Sequence, residues 1–166
     1  VVVENFRPGV AERLGIDYKS LSAINLKLVY ASISGFGQHG PLSKRPAYDL
    51  VVQAMSGLMY MTGEPDGPPT RVGESFGDLF AGLYASWAIL AKLYERERTG
   101  CGGYVDIAMF DTLFSMMPTA IAQWMFGTTS PTRVGNRHPL STPFGEFKTC
   151  DGYLIIAVLN NIQFSA

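Results

Sequence analysis

Lys27-Leu28-Val29-Tyr30-Ala31-Ser32-Ile33-Ser34-Gly35-Phe36-Gly37 carries the strongest fold signal in this chain. Its first eight residues are rich in strand-forming types, and the glycines that follow end the strand in a loop. A second β-branched run, Val1–Glu4, precedes it, and residues 8–24 between the two have the pattern of short helices. Strand, helices and strand in this order predict a βαβ unit and therefore a parallel sheet.

Helices are also predicted further along the chain, from apolar residues spaced three and four apart. Asp17 is a favoured N-cap residue and Gly15 a favoured C-cap residue, so they should separate two short helices. Asp111 should cap a later helix that Pro118 kinks or breaks, because proline has no backbone N–H. The predicted helices are residues 10–14, 18–24, 48–61, 78–98 and 112–126, with a further strand at 104–109.

The pattern changes near residue 127. Cys150-Asp151-Gly152 lies between two alternating apolar segments, residues 145–149 and 153–158, and Asp-Gly there is a strong signal for an antiparallel hairpin. We therefore predict an α/β fold with a Rossmann-like open parallel sheet in a large domain over residues 1–126. Residues 127–166 are predicted to be a linker and the start of a smaller α+β domain.

Ligands of open parallel sheets bind beyond the carboxyl ends of the strands. Asn5-Phe6-Arg7 and Ser34–Gly40 follow two predicted strands, so we expect them to lie where a ligand binds. The sequence starts in a β-branched run without an initiator Met or a basic leader, and it stops inside a predicted helix at residues 160–166. We therefore expect an internal fragment of a longer protein.

Composition argues against several classes of function. Thirteen Lys and Arg against 14 Asp and Glu in 166 residues give a net charge of −1, so no overall field draws the chain to nucleic acid or an anionic membrane. The longest apolar stretch, residues 79–91, is shorter than the roughly 20 residues that span a bilayer. Hydrophobic residues make up 47% and charged residues 16%, which favours a large subunit interface.

The cysteines and histidines give no metal motif. Cys101 and Cys150 fit neither a CxxC site nor a disulfide framework, which indicates reduced thiols in an intracellular protein. His39 and His138 have no second His or Cys at ligand spacing. We therefore predict that no metal is bound.

Asp78 is the strongest candidate for chemistry. It follows Gly77 and is predicted to open an amphipathic helix, where backbone N–H groups and the helix dipole would keep the carboxylate ionised. A carboxylate nucleophile requires that state. An ordinary helix cap has the same sequence pattern, so the neighbouring residues must decide between the two. The predicted apolar face of this helix passes through Leu79, Leu83, Trp87, Leu90 and Tyr94.

Six further stretches run in order along nearly the whole chain: Glu4–Gly9, Ala31–Pro41, Ala47–Asp49, Ser56–Met59, Gly77–Asp78 and Glu97–Gly100. Together they resemble the family III CoA-transferases of the CaiB/BaiF type, which include formyl-CoA and succinyl-CoA-dependent transferases. The resemblance implies a longer parent chain and an interlocked homodimer in which each chain threads through the other. It also implies acyl-CoA and a carboxylic acid as substrates, with no tightly bound cofactor.

The resemblance makes Asp78 the catalytic nucleophile. By analogy, its carboxylate attacks the acyl-CoA thioester to give an aspartyl mixed anhydride, and the released CoA thiolate then converts this into an aspartyl-CoA thioester. The acceptor acid reverses the sequence. Residues 56–59 and 148–153 are most similar to members that use succinyl-CoA or another dicarboxylyl-CoA.

The resemblance also assigns the CoA-binding residues. Pro46 departs from the pattern of members that have a CoA-binding Lys there, and Lys44 or Arg45 is a candidate substitute. Taken alone, Asn5 fits a turn residue, Arg13 a solvated charge and Tyr48 a buried helix aromatic. The assigned positions are Asn5 and Phe6 in contact with CoA, Arg13 near its phosphates and Tyr48 beside the nucleophile.

Two other functions remain open at this point. The related α-methylacyl-CoA racemases use a Gly-His-Asp run, but this chain has Ala47-Tyr48-Asp49 and so lacks that base. A noncatalytic CoA-binding module would keep the fold without the chemistry, although the retained Gly77-Asp78 pair argues against it. The expected location is the cytoplasm, or the mitochondrion in a eukaryote.

Overall fold

Three parallel strands form the centre of the computed structural model, which describes residues 1–165. They are β1 (Val2–Glu4), β2 (Val29–Ser34) and β3 (Gly103–Ala108), in the order β1-β2-β3. Ala31 of β2 pairs with Val3 on one side and Val105 on the other. Strand β2 is buried because it is central and covered by helices, as its apolar composition requires. The predicted α/β class and parallel sheet are confirmed.

Helices connect the strands. Asp17 caps α2 as predicted, because its Oδ1 accepts the backbone N–H of Ser20 at 3.1 Å. The first crossover contains α1 (Val10–Leu14) and α2 (Tyr18–Ile24), and the second contains α3 (Asp49–Ser56), α4 (Leu58–Met61) and α5 (Phe76–Thr99); α6 (Met109–Ser115) and α7 (Pro118–Phe126) follow β3.

Two predicted helices have different boundaries in the structure. The helix expected over residues 48–61 is interrupted at Gly57, whose φ of 91° lies in the left-handed region that glycine tolerates, and so ends α3. The helix expected after Asp111 begins at Met109 instead, directly after β3, and Asp111 lies in its first turn rather than at its cap. Pro118 does break this segment, and it begins α7.

The orientation of α5 corrects the sequence prediction. The helix begins at Phe76, so Asp78 lies in its first turn and is not the cap. The buried side of α5 consists of the small residues Gly77, Ala81 and Ala85, which allow the helix to pack closely against the rest of the core. The predicted apolar face is the outer one, since its five large side chains are between 40% and 69% exposed.

The end of the described chain forms the predicted antiparallel hairpin. Strands β4 (Phe144–Lys148) and β5 (Tyr153–Ala157) pair through Glu146 and Ile155, and α8 (Asn161–Phe164) follows. The hairpin is confirmed, whereas the division into two domains near residue 127 stays a prediction. Across residues 1–165, every helix is too short or too polar to cross a bilayer.

Candidate active site

A cavity of about 760 Å³ lies at the carboxyl ends of the three parallel strands. This volume is within the range of small-molecule sites, roughly 300–1,000 Å³. Parallel strands place their carboxyl ends at one edge of the sheet, and the N-terminal end of α5 reaches the same edge. The lining residues include Asn5, Phe6 and Arg7 after β1, Ser34 and Gly35 at the end of β2, Arg45 to Tyr48 before α3, and Asp78 on α5.

Asp78 carries the carboxylate of this cavity. Its side chain is exposed, yet the surrounding groups remove part of its water. This desolvation is the larger cause that raises the pKa of Asp78, and the like charge of Asp49 is the second. The helix dipole favours the ionised form and by itself would lower the pKa, so it acts against these two causes. A higher pKa makes the ionised carboxylate a stronger nucleophile, because basicity and nucleophilicity rise together.

A buried hydrogen-bond network lies behind Asp78. Asp49 is 8% exposed, and its Oδ1 accepts the backbone N–H of Gly77 at 2.8 Å. Its Oδ2 accepts a hydrogen bond from Nε2 of Gln53 at 2.7 Å. Sequence reasoning gave Asp49 no role; the available signal was an Asp and a Gln four residues apart, which share one face of a helix.

The structure brings together most of the predicted site residues. Asn5, Phe6 and Tyr48 line the cavity with Asp78, and Tyr48 is 79% exposed, so the alternative of a buried aromatic is wrong. Arg13 does not line it; its position on α1 leaves it exposed to solvent. The cavity guanidinium groups belong instead to Arg7 and Arg45.

A second cavity of about 440 Å³ lies between α4 and α7. Met61, Trp124 and Met125 are typical of its lining, and none of the lining residues in the described chain is charged. Its polar side chains among the described residues are the hydroxyls of Ser56, Tyr60 and Ser130, and no carboxylate or imidazole lines it beside them to act as a base. Among residues 1–165, His, Cys, Asp and Glu side chains form no group of three or more that is able to hold a metal ion.

Comparison with known proteins identifies close relatives. The chain is 50% identical to the acetyl-CoA:oxalate CoA-transferase of Acetobacter aceti over all of its length and 43% of that protein. It is 42% identical to the succinate–glutarate CoA-transferase of Agrobacterium fabrum, covering 99% of this chain and 41% of that protein. A crystal structure of a CaiB/BaiF family protein from Brucella suis superposes with a TM-score of 0.89 at 43% identity, covering 98% of this chain and 43% of that one.

The chain thus spans less than half the length of the curated relatives it matches. Its fold agrees with that of the solved relative over nearly every residue. The profile of the family described as CoA-transferase family III matches residues 1–166. This chain belongs to the family III CoA-transferases.

Proposed function

We propose that the whole protein transfers CoA from an acyl-CoA to a carboxylic acid, and that this chain contributes the nucleophile Asp78 and part of the CoA site. The observation that supports this most directly is the Asp78 carboxylate in the wall of a large cavity at the strand ends. Relatives named CoA-transferases support the reaction class. Acyl-CoA is a substrate here, and no resident cofactor is invoked.

The proposed reaction conserves charge and atoms at each step. The Asp78 carboxylate attacks the thioester carbonyl, the C–S bond breaks, and CoA thiolate leaves a mixed anhydride. The thiolate then attacks the aspartyl carbonyl, which releases the first acid as its carboxylate and leaves an aspartyl-CoA thioester. The acceptor carboxylate attacks that thioester to form a second anhydride, and thiolate attack on its acyl carbonyl gives the new acyl-CoA and free Asp78.

We further propose that at least one of the two acids is a dicarboxylate, with succinyl-CoA or another dicarboxylyl-CoA as the favoured donor. The names of two relatives contain oxalate, succinate and glutarate, all of which have two carboxylates. Arg7 and Arg45 line the cavity, and guanidinium groups bind carboxylates in a two-point geometry. The free carboxylate of such a substrate would pair with Arg7 or Arg45 at this edge of the sheet.

The test is acid exchange by the full-length protein. Succinyl-CoA and acetyl-CoA would be incubated separately with oxalate, glutarate and acetate, and the new CoA thioesters identified by mass spectrometry. We expect transfer that depends on both donor and acceptor. Hydrolysis alone, or no new thioester with any pair, would contradict the proposal and leave a noncatalytic CoA-binding module.

A racemase is the second candidate, and a deuterium experiment separates it from a transferase. In D2O, proton exchange at the α carbon of 2-methylacyl-CoA without acid exchange would favour racemisation. No histidine lines the cavity in the described part of the chain. By the resemblance, Tyr48 stands at the motif position of the racemase His. We therefore expect no deuterium incorporation at that carbon.

Arg13, which the resemblance assigns to CoA, and Arg45, a candidate substitute for the CoA-binding Lys, differ in position, which gives a direct comparison. Arg45→Ala should raise the KM for acyl-CoA about 10- to 150-fold, because a charge-assisted hydrogen bond contributes about 1.5–3 kcal/mol. Arg13→Ala removes the same charge from an exposed position outside the cavity and should change KM less than about twofold. Steady-state kinetics of the full-length variants measures both. A larger rise in KM for Arg13→Ala than for Arg45→Ala would instead support the assignment of Arg13 to the CoA phosphates.

The proposed assembly is an interlocked homodimer in the cytoplasm, or in the mitochondrion if the source is a eukaryote. The exposed apolar face of α5, with Trp87 54% exposed and Leu90 63% exposed, supports an interface. Light scattering of the full-length protein tests the dimer, and a mass equal to a single chain would exclude it. Fractionation of source cells tests the compartment, which must contain CoA.

A further inference from the structure

We propose that Asp49 and Gln53 are positioning residues for Asp78, which hold the segment before α5 in place and set a fixed negative charge behind the nucleophile. This inference rests on the proposed function, in which Asp78 is the nucleophile. It concerns the buried network in α3.

Asp49 connects α3 to the start of α5. The Gly77 N–H that Asp49 accepts belongs to the residue directly before Asp78, 28 positions after Asp49 in the chain. That N–H is in the first turn of α5 and has no partner within the helix, so Asp49 satisfies a donor that would otherwise be buried and unpaired. The position of the nucleophile's backbone therefore depends on α3.

Gln53 extends the connection to the loop that leads into α5. Its Nε2 donates to Asp49 Oδ2 at 2.7 Å and to the backbone carbonyl of Glu74 at 3.1 Å, while its Oε1 accepts the N–H of Val72 at 2.9 Å. Both amide protons and the amide oxygen are used, and the side chain is 0% exposed. A fully satisfied buried network of this kind specifies one arrangement. Residues 72–77 are thus fixed at three points to two adjacent turns of α3.

Asp49 also acts on Asp78 through its charge. Charged and titratable groups on the elements around Asp78 are Arg7, Arg45, Tyr48, Asp49, Glu74 and Asp111. Of these, Asp49 is the one whose charge raises the pKa of Asp78, after desolvation. The ionised form of Asp78 is the nucleophile, so the rate falls at low pH as the carboxylate is protonated; this part of the pH profile is the acid limb. A raised pKa moves the acid limb to higher pH. Removal of the Asp49 charge must lower that pKa and move the limb to lower pH.

Asp49→Asn in the full-length protein tests both the positioning role and the effect of the charge. The amide that replaces the carboxylate keeps an oxygen for Gly77 N–H but turns its NH2 toward Nε2 of Gln53, so two donors face each other. We expect kcat to fall about 10- to 100-fold, the scale of an ångström-sized misplacement, with less change in KM and an acid limb at lower pH. Asp17→Asn is the matched control: it removes the same charge from an exposed helix cap, and should retain the parent's kcat and pH profile.

Gln53→Met is the second variant, since it keeps the length of the side chain and the Asp49 charge but releases Val72 and Glu74. A fall in kcat without a downward shift of the acid limb would support the positioning role. If Asp49→Asn does not fold, the kcat of Gln53→Met alone tests that role. An acid limb at the parent's pH in folded Asp49→Asn, or a parent-like kcat in Gln53→Met, would overturn the proposal. Full activity of Asp78→Ala would be a different failure, that of the proposed function itself.

Discussion

Asp78→Ala in the full-length protein is expected to reduce CoA transfer by at least about 10³-fold, because Asp78 is the only carboxylate of residues 1–165 that lines the cavity, and the proposed covalent intermediates form on it. Initial rates with the best donor and acceptor measure the loss. Mass spectrometry supplies a second readout, since the parent incubated with acyl-CoA should carry CoA on a peptide containing Asp78. The variant should carry none.

Asp111→Ala is the matched control for this experiment. Asp111 occupies the first turn of α6 as Asp78 occupies that of α5, but it does not line the cavity. Each substitution removes a carboxylate that interacts favourably with a helix dipole, worth about 0.3–1 kcal/mol. Transfer by Asp78→Ala at the rate of Asp111→Ala would mean that Asp78 contributes only as a helix-terminal charge, and that the covalent mechanism is wrong.

Gly77→Ala is expected to destabilise the full-length protein by about 1–3 kcal/mol, the usual cost of overpacking a filled core. A Cβ at this position would lie 2.5 Å from Cγ2 of Val52 and 3.1 Å from Oδ1 of Asp49. Val52 is 0% exposed and belongs to the hydrophobic core, where close packing limits its movement. Relief of the clash must push α5 away from α3, so transfer activity should fall as well. Denaturant unfolding measures the stability and initial rates measure the activity.

Gly82→Ala on the same helix provides the comparison. Gly82 lines the cavity and a Cβ there meets no atom within 4 Å, so the stability changes through helix propensity alone. Alanine should then stabilise the protein by about 0.5–1 kcal/mol. Equal changes in the free energy of unfolding for Gly77→Ala and Gly82→Ala would contradict this prediction. The close contact between α3 and α5 would then not destabilise the alanine variant, and overpacking would not explain the glycine at position 77.

The parallel sheet and the hairpin were predictable from sequence because their signals are local. The β-formers of residues 27–34 followed by glycine, and Asp151-Gly152 between alternating strands, specify backbone geometry within a few residues. Asp78 was predictable as a candidate through the resemblance of the segments around it. The signals for the sheet and the hairpin each lie within a short stretch of chain, whereas the resemblance rests on six stretches spread along nearly the whole of it.

The orientation of α5 and the contacts of Asp49 were not predictable, because they depend on residues that are distant in the chain. Apolar periodicity favours the side with Leu83 and Trp87 as the core side of α5, but close packing against α3 selects the side with Gly77. The bond from Asp49 to Gly77 spans 28 residues and leaves no mark in either segment alone. Arg13 does not reach the cavity for a related reason: a residue's place in a motif does not determine where its side chain lies.

Helix α5 carries the proposed nucleophile at one end and a large uncovered apolar stripe along its outer side. Its 24 residues form a rod about 36 Å long, and such a rod moves as one body. A partner that shifted the stripe along the helix axis would shift the Asp78 backbone by the same distance. If Asp78 is the nucleophile and the stripe is a subunit interface, as proposed, a change in the contacts of the stripe therefore also moves the nucleophile.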